Sequence, residues 1–389
     1  MDILFVDFYS LRSGYGGELW IRDVSMNLSE RHRVKVITSS LKVDGKRSLA
    51  PRKESFRLNM DLGFDDELRN NGIDVVEFDN IPYTTFPNFT GLKTLYNMIR
   101  WADVVYFHYM YGGIEVTVKF LSEILGVPVI CGHHSPLYWY KKEEDIRAAE
   151  KIYFKIFGPA GKRIGELFPF HQVLNTSDLD EIRRWNVNKI FYIPVGHTKV
   201  RPEIRSKYEK FTVLFLGRFD RHKGADQILP LVELISNKGL RLEFHIAGRG
   251  GPFEDDLRAL GERFEFVKFL GYISDEEKIK EVSKAHVLIM LSRYEGFPKV
   301  ALESIFAGTP VIGFPIEGLS DLIVNGQNGF IVTDLEDALA KISYLMDECK
   351  KGRFSIIVDS TLSSSSKYEW GSIYPRIESM FLEVKGTSR

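Results

Sequence analysis

The stretch that decides the fold is RYEGFPKVALESIFAGTPV, residues Arg293–Val311, which follows the short apolar run His286–Leu291. A short, continuous apolar run is typical of a strand in a parallel sheet that is covered on both faces. Pro298 suits the first position of a helix, because its φ is fixed and its missing N–H is no loss there. Gly308 can end that helix after Ala307. The stretch therefore predicts a buried strand, a loop and a helix in succession.

The start of this helix is a predicted anion site. Lys299 and Val300 fall in its first turn, where backbone N–H groups lie at the positive end of the helix dipole and attract anions. Glu295 stands just before that end, and Glu303 follows about two turns inside the helix. Two acids and an anion site are thus predicted at one strand-to-helix junction.

The same alternation of apolar runs and amphipathic helical stretches extends along the whole chain, which is the pattern of parallel sheets covered on both faces. The predicted strands of the first half are residues 3–8, 34–38, 74–78, 104–108, 127–131, 172–174 and 191–193. Those of the second half are residues 212–216, 242–246, 265–269, 287–291, 311–313 and 330–332. The fold class is therefore α/β, with two doubly wound parallel sheets whose carboxyl ends are expected to face one ligand cleft.

Length and composition agree with this organisation. A chain of 389 residues with 44% hydrophobic residues is too long for one ordinary core and has ample apolar surface for two. A net charge of −1 argues against a nucleic-acid partner. Two cysteines, Cys131 and Cys349, fall in different predicted domains, so a reducing cytoplasm is the simpler setting. No stretch approaches the roughly 20 apolar residues that span a bilayer.

Three segments follow from these patterns. Residues 1–197 form a predicted N-terminal domain, and residues 198–366 form a second. The segment between Pro194 and Lys210 is rich in charges and is the predicted linker, while the serine run at 363–366 is a second predicted joint. Residues 367–389 form a closing helix with Trp370, Ile373 and Ile377 on roughly one face.

Several short motifs appear in a fixed order along the chain, each after a predicted strand. They are Gly16-Gly17-Glu18, Val127–Ile130 leading to His134, Gly217-Arg218 with Lys223-Gly224, Ile246–Gly248, Phe269–Tyr272, Glu295 with Glu303, and Asn328–Phe330. Together they resemble the retaining glycosyltransferases of family 4, which have the GT-B fold of two Rossmann-like domains. The resemblance covers nearly the whole chain. It implies that the closing helix crosses back onto the N-terminal domain.

The resemblance also implies a donor site in the C-terminal domain. Arg218 and Lys223 match the positions that grip the diphosphate of a nucleotide sugar, where a guanidinium and an ammonium both suit phosphate oxygens. Glu303 would hold the ribose hydroxyls and Glu295 the donor sugar. The remaining donor positions are Gly248, Tyr272 beside the base, Gly296, Phe297, Lys299 and Val300. Arg249 replaces the family's more usual acidic residue, which leaves the nucleotide base open.

In the N-terminal domain, the family's histidine matches His134, which is expected to contact the transferred sugar and shape the acceptor side. The adjacent His133 is an alternative because strand ends are uncertain from sequence, and His108 is a further candidate. Gly16 and Gly17 open the first helix, where glycines let the backbone approach the donor closely. A dinucleotide site is the alternative there, but the order Gly-x-Gly-x-x-Gly is missing.

Metal and hydrolase chemistry are less well supported by the sequence. Asp178 and Asp180 form an Asp-x-Asp pattern, but they fall where a helix cap with acidic first-turn residues is expected. No metal site and no cofactor are predicted. Glu295 and Glu303, eight positions apart, would be separated by about 12 Å along a helix. A retaining glycosidase needs its two carboxyl groups about 5 Å apart, so hydrolysis is disfavoured.

The sequence thus leads to a retaining, metal-independent hexosyltransferase that moves a sugar from a UDP- or GDP-linked donor to a hydroxyl acceptor, which is a glycan, a glycolipid or a glycoprotein glycan. The predicted location is cytoplasmic. Basic stretches at 42–57 and 141–163 are either solvated surface or a peripheral membrane contact, as in family members with lipid-linked acceptors. The alternatives are an inactive sugar-nucleotide-binding partner of another transferase and a sugar-nucleotide epimerase.

Overall fold

The computed structural model describes residues 1–7, 16–39, 63–80, 86–108, 114–134, 137, 161–198 and 206–387. The chain forms two compact units. Unit 1 comprises Met1–Pro194 and Tyr374–Arg389, and unit 2 comprises Val195–Ile373. The sequence placed the corresponding boundaries at residues 197 and 366. The basic stretch at 42–57 and most of the one at 141–163 lie outside the described residues.

Unit 1 contains a parallel sheet of seven strands in the order β3-β2-β1-β4-β5-β6-β7. Its strands are β1 (Asp2–Asp7), β2 (Arg33–Ser39), β3 (Asp74–Phe78), β4 (Val104–His108), β5 (Val129–His133), β6 (Phe170–Val173) and β7 (Lys189–Tyr192). Its helices are Gly16–Ser29, Phe64–Asn70, Phe89–Trp101, Ile114–Leu125, residues 161–165, Thr176–Ile182 and most of Trp370–Gly386. The strand order reverses between β1 and β4, which makes that point the switch of a doubly wound sheet.

Unit 2 contains a parallel sheet of six strands in the order β10-β9-β8-β11-β12-β13. Its strands are β8 (Thr212–Leu216), β9 (Glu243–Ala247), β10 (Val267–Gly271), β11 (Val287–Met290), β12 (Val311–Gly313) and β13 (Gly329–Ile331). Its α-helices are Ile228–Asn237, Glu254–Arg263, Asp275–Lys284, Lys299–Phe306, Leu319–Leu322, Leu335–Lys350 and Phe354–Ser363. The switch point lies between β8 and β11.

The predicted α/β class with two parallel Rossmann-like sheets is confirmed, and each predicted strand has a counterpart within about two residues. The prediction worked because the strands are continuous apolar runs: Ile3, Leu4, Phe5 and Val6 of β1 are all fully buried. The sequence predicts a joint at the serine run 363–366, but the structure places this run at the end of a helix. Ser363 ends a helix, and the hydroxyl of Ser364 accepts a 2.9 Å hydrogen bond from the buried side chain of Asn328.

The closing helix belongs mostly to the core of unit 1. Phe381 is fully buried there, with its ring centroid 5.7 Å from that of Phe5 and 6.1 Å from that of Tyr106. Ile377 and Met380 are buried beside it. These apolar contacts explain why the last residues of the chain group with the N-terminal sheet. Across the described residues, no helix has the length and apolar character needed to cross a membrane.

Candidate functional site

The loops at the carboxyl end of the unit 2 sheet are tied to one another through their backbones. Gly217 donates to the carbonyl of Ala247 at 3.1 Å, and Gly248 donates to the carbonyl of Gly271 at 2.8 Å. Gly248 has a φ of 140°, and a Cβ there would lie 1.8 Å from the Gly217 oxygen. Only glycine therefore allows these loops to pack so closely, which brings the motifs after β8, β9 and β10 together at one sheet edge.

Lys223 and Glu295 form the central ion pair of this edge. The Nζ of Lys223 lies 2.5 Å from Oε1 of Glu295, and the backbone N–H of Lys223 donates to Asp220 at 3.0 Å. Burial alone would raise the pKa of Glu295, but the neighbouring Lys223 charge and hydrogen bond hold that pKa below its ordinary value. Glu295 is therefore a charged carboxylate, and the two predicted site residues are direct partners.

Arg218 is held by a histidine that the sequence did not single out. Its Nη2 lies 3.0 Å from Asp220 and 3.3 Å from Nδ1 of His222. Nε2 of His222 lies 2.7 Å from the carbonyl of Tyr294, and the two rings stack with their centroids 3.9 Å apart. A carbonyl only accepts, so Nε2 carries the hydrogen and Nδ1 is left to accept from Arg218. Burial lowers the pKa of His222 to about 4, which keeps the imidazole neutral.

A second pairing that the sequence did not reveal joins the loop after β8 to the loop after β11. The guanidinium of Arg293 contacts both carboxylate oxygens of Asp226, at 2.8 and 2.7 Å. The backbone N–H of Arg293 also donates to the carbonyl of His222 at 2.9 Å. Burial would raise the pKa of Asp226, and the Arg293 hydrogen bond and charge bring it below its ordinary value. This bidentate pair fixes the distance between the segments that carry Lys223 and Glu295.

The helix after β11 begins one residue later than predicted. Pro298 precedes the helix Lys299–Phe306 as its cap residue, and Gly308, with a φ of 72°, follows its end. Pro298 still suits the start because its carbonyl accepts the first turn's bond from Leu302 at 3.1 Å. The segment before it is largely buried, with Phe297 only 8% exposed. Gly296 and Phe297 thus form a packed turn in front of the positive helix end that starts at Lys299 and Val300.

Glu303 forms an ion pair with a lysine from the preceding helix. Nζ of Lys278 lies 3.1 Å from Oε1 of Glu303 and 3.2 Å from a carboxylate oxygen of Asp275. Burial would lower the pKa of Lys278, but Glu303 and Asp275 together raise it. Oε2 of Glu303 is buried and has no hydrogen-bond partner among the described residues. One oxygen is therefore fixed in place, while the other keeps its capacity to accept hydrogen bonds.

Tyr272 lies at the rim of the same edge and is 55% exposed. The guanidinium carbon of Arg249 lies 4.3 Å from the centre of its ring, a cation–π arrangement. The residue that departs from the family's acidic pattern thus covers one face of the aromatic ring predicted beside the base. The two side chains form a mixed cationic and aromatic surface.

In unit 1, His134 follows β5 directly and is half-buried. Its Nε2 lies 2.7 Å from the hydroxyl oxygen of Tyr106, and its ring lies 4.5 Å from Trp20 and 4.7 Å from His108. His133 belongs to the strand and is buried. The predicted strand ended two residues too early, which caused the ambiguity between the two histidines.

The two glycines at the start of the first helix have different neighbours. Gly16 is its first residue. A Cβ on Gly17 would lie 2.0 Å from the ring of His108, so within unit 1 the close approach at Gly17 is to a histidine. Burial would lower the pKa of His108, but the Asp7 carboxylate, 3.4 Å from its Nδ1, raises that pKa above its ordinary value. The close approach of the His108 ring is a local reason for glycine at position 17.

The described residues contain one Cys/His group with metal-ligand character, which the sequence did not reveal. Cys131, His133 and His171 are buried, and their ligand atoms lie within 4.8 Å of one another. Nε2 of His133 and Nδ1 of His171 lie 2.9 Å apart, and Nε2 of His171 lies 2.9 Å from the carbonyl of Phe168. Burial lowers the pKa of His171 to about 4. The facing nitrogens hydrogen-bond to each other, as expected for a neutral pair in the core.

Asp178 and Asp180 have structural contacts, as the cap interpretation implied. Asn175 is the cap residue of the helix Thr176–Ile182, and its side chain accepts from the backbone N–H of Asp178 at 2.7 Å. The Asn175 amide also donates to the Asp178 carboxylate at 2.7 Å. Asp180 pairs with the exposed Arg183 at 3.0 Å. The two carboxylates therefore have different partners.

Part of the chain is similar in sequence to known glycosyltransferases. Residues 197–353 match the family model described as glycosyl transferases group 1. The chain is 25% identical over 229 residues to the alpha-D-kanosaminyltransferase of Streptomyces kanamyceticus, covering 54% of this chain and 59% of that protein. It is 28% identical over 247 residues to the D-inositol 3-phosphate glycosyltransferase of Pseudarthrobacter chlorophenolicus, covering 59% and 58%.

Among solved structures, Anabaena Alr3699/HepE in complex with UDP superposes with a TM-score of 0.74 at 16% identity, covering 98% of this chain and 100% of that one. This likeness shows the shared two-sheet fold. The matched segments span less than two thirds of the length of either curated relative. Together, these matches place the sequence similarity to group 1 glycosyl transferases mainly in residues 197–353, which lie in unit 2.

Proposed function

We propose that this protein is a retaining, metal-independent glycosyltransferase that moves a hexose from a UDP- or GDP-linked donor to a hydroxyl acceptor. The observation that carries the proposal is the Lys223–Glu295 ion pair beside Arg218, inside the segment that matches the family model. A transferase must stabilise a departing diphosphate, and these cations, each held by neighbouring side chains, are suited to that task. The structural neighbour from Anabaena was solved with UDP, which supports a nucleotide sugar as donor.

The parts of the donor would lie in a fixed order along the carboxyl edge of the unit 2 sheet. Arg218 and Lys223 would contact the diphosphate together with the helix end at Lys299. Glu303 would accept hydrogen bonds from the ribose, because Lys278 orients its carboxylate. Tyr272 and Arg249 would contact the nucleotide base. Glu295 would contact the donor sugar. Because Glu295 is paired with Lys223, this ion pair would link the sugar position to the phosphate position.

Retention would follow from substitution on the same face of the sugar, with the donor phosphate assisting the incoming hydroxyl. Fixed cations and a positive helix end supply the charge that a metal ion would otherwise provide. Activity is therefore expected to persist in EDTA. Loss of activity in EDTA with recovery on adding Mg²⁺ or Mn²⁺ would contradict the metal-free mechanism. NMR of the anomeric proton of the product would show whether configuration is kept.

The decisive experiment for the donor is binding of UDP and GDP by calorimetry and by thermal shift. A ligand present at 100 times its Kd raises stability by about 2.7 kcal/mol, which is readily detected. Arg218→Ala should weaken binding of the preferred diphosphate. The matched control is Arg263→Ala, because Arg263 is an exposed residue of the same unit, where it contacts Glu233 at 3.0 Å and the ring of Phe264. Equal binding by both variants would overturn the donor site.

The two alternatives are separable by the products. A nucleotide-sugar epimerase would change the sugar of the donor without any acceptor, whereas an inactive binding partner would bind UDP or GDP and turn over nothing. Incubation of UDP-glucose and GDP-mannose with and without simple sugar acceptors, followed by chromatography, distinguishes them. The transferase predicts a product that requires the acceptor.

We also propose that unit 1 contacts an anionic membrane surface when the acceptor is lipid-linked. Phe89, Leu92 and Tyr96 are exposed at helical spacing on the helix Phe89–Trp101, and Phe89 is 84% exposed. Lys93 and Arg100 are exposed on the same helix. Among the described residues neither has an acidic partner. Apolar and basic side chains on one exposed helix suit an anionic bilayer.

Sedimentation with phosphatidylglycerol vesicles, compared with phosphatidylcholine vesicles, tests this contact. Phe89→Ser combined with Leu92→Ser should abolish binding to the anionic vesicles. The control is Phe120→Ser, an exposed apolar position on the helix Ile114–Leu125, where Lys119 is paired with Glu123 at 2.8 Å. Absence of wild-type binding at low salt, or equal loss in the control, would contradict the contact.

A further inference from the structure

A chain of hydrogen bonds runs from the core of unit 1 to the candidate histidine. The Gln172 amide nitrogen donates to the carbonyl of Ile193 at 2.7 Å. The Tyr106 hydroxyl lies 2.6 Å from Oε1 of Gln172 and 2.7 Å from Nε2 of His134. Gln172 and Tyr106 are fully buried, so these bonds are shielded from water.

The direction of every bond in this chain is fixed by its first member. Because the carbonyl of Ile193 only accepts, the Gln172 nitrogen faces it and Oε1 faces Tyr106. An amide oxygen also only accepts, so the single hydroxyl proton of Tyr106 goes to Gln172. The Tyr106 oxygen is then left to accept, and Nε2 of His134 must be the donor. Burial raises the pKa of Tyr106 well above its ordinary value, so the hydroxyl keeps its proton.

The surrounding packing holds the tyrosine in this position. A Cβ on Gly132 would lie 1.9 Å from the Tyr106 oxygen, so the glycine of β5 leaves the space through which the hydroxyl reaches its partners. The Trp20 ring lies 5.0 Å from that of Tyr106 and 4.5 Å from that of His134. The histidine is thus oriented by a hydrogen bond at its Nε2 and by an aromatic ring against it.

We propose that Tyr106 and Gln172 are positioning residues that hold His134 in its Nε2–H tautomer. In that neutral tautomer Nδ1 is the ring nitrogen that carries the lone pair. The assignment of the tautomer is independent of the activity, whereas the expected effect on turnover rests on the proposed function. Neither positioning residue touches the substrate in this account.

Long-range ¹H–¹⁵N NMR correlations of the imidazole rings test the tautomer directly, with His134→Gln used to assign the His134 signals. The wild-type ring should show a protonated Nε2 and an unprotonated Nδ1 at neutral pH. Tyr106→Phe removes the acceptor and should give a mixture of tautomers. Gln172→Met frees the Tyr106 proton to turn toward His134, so it should favour the Nδ1–H form. Tyr374→Phe is the control, because that hydroxyl contacts the carbonyl of Asp23 at 3.3 Å.

A wild-type Nδ1–H tautomer, or unchanged His134 signals in both variants, would overturn the proposal. Circular dichroism and melting curves show whether each variant is folded, and the Tyr106→Phe result stands alone if Gln172→Met fails to fold. Tyr106→Phe should also lower kcat at least tenfold while leaving UDP binding unchanged. If the tautomer shifts as expected and no nucleotide sugar is turned over by the wild type, the proposed function fails and the positioning relation remains.

Discussion

Nζ of Lys223 and Oε1 of Glu295 lie 2.5 Å apart, although the two residues are 72 positions apart in the chain. The first follows β8 and the second follows β11, the two strands that meet at the switch point of the unit 2 sheet. In doubly wound sheets this point is where ligands bind. The ion pair therefore has two roles: it joins the two loops, and it holds the Glu295 carboxylate in its charged form where a nucleotide sugar is proposed to bind.

Substitution of Lys223 should separate these two roles. Lys223→Ala leaves the Glu295 carboxylate buried without its main counter-charge, so it should lower both thermal stability and diphosphate binding. We expect binding of the preferred diphosphate to weaken by about 2–4 kcal/mol. The double variant Lys223→Ala with Glu295→Gln should regain stability but not binding. Recovery of binding in the double variant would show that Lys223 acts only through Glu295.

His222 should affect binding through Arg218. In His222→Phe the aromatic ring can still stack on Tyr294, but the hydrogen bonds to Arg218 and to the Tyr294 carbonyl are lost. We expect UDP or GDP affinity to fall about tenfold, which is about 1.4 kcal/mol, because a held guanidinium loses less entropy on binding. The measurement is calorimetry on His222→Phe, Arg218→Ala and the double variant. If the two losses are additive, His222 does not act through Arg218.

The strands were predictable because each is a short apolar run buried on both faces, a property of neighbouring residues in the chain. Lys223 and Glu295 were predictable as positions from their motifs, yet their contact was not. The pairs Arg293–Asp226 and Lys278–Glu303 were missed for the same reason. A charged side chain carries no periodic signal of its distant partner, and the fold alone decides which charges meet.

The histidines show the same limit in unit 1. The order of motifs pointed to His134, but one residue of uncertainty at a strand end left His133 as an alternative. The structure gives the two histidines different partners: His133 contacts His171, whereas His134 contacts Tyr106. His222 carried one weak signal, its place four residues after Arg218 and next to Lys223 in the same loop.

Buried neutral histidines should make unit 2 less stable in acid. Burial, followed by the nearby charge of Lys207, lowers the pKa of His286 to about 4, and its Nδ1 accepts from the backbone N–H of Thr212 at 3.1 Å. The unfolded chain has the ordinary value of 6.5 and therefore binds more protons between pH 6.5 and 4. Stability is thus lost as the pH falls through this window, by up to about 3 kcal/mol from this one group.

Urea unfolding at pH 6.5 and 4.5 measures this loss. His286→Gln can keep an acceptor near Thr212 but cannot take up a proton, so its stability should fall less over the same interval. His32→Gln is a useful comparison, because His32 lies in unit 1 beside Glu378, at 2.8 Å. Equal acid losses in wild type and His286→Gln would show that His286 does not contribute to the acid sensitivity.

The final prediction separates the two glutamates of the junction. Glu303→Gln should mainly raise the KM for the donor, because ribose contacts are present equally in the ground state and the transition state. Glu295→Gln should mainly lower kcat, since this residue is proposed to stand where charge develops on the sugar. Lys278→Met should resemble Glu303→Gln in raising KM, because the lysine orients that carboxylate. Steady-state kinetics with one donor and one acceptor on all three variants is the measurement. If Glu303→Gln instead lowers kcat and Glu295→Gln instead raises KM, the donor must lie in the opposite direction along this edge.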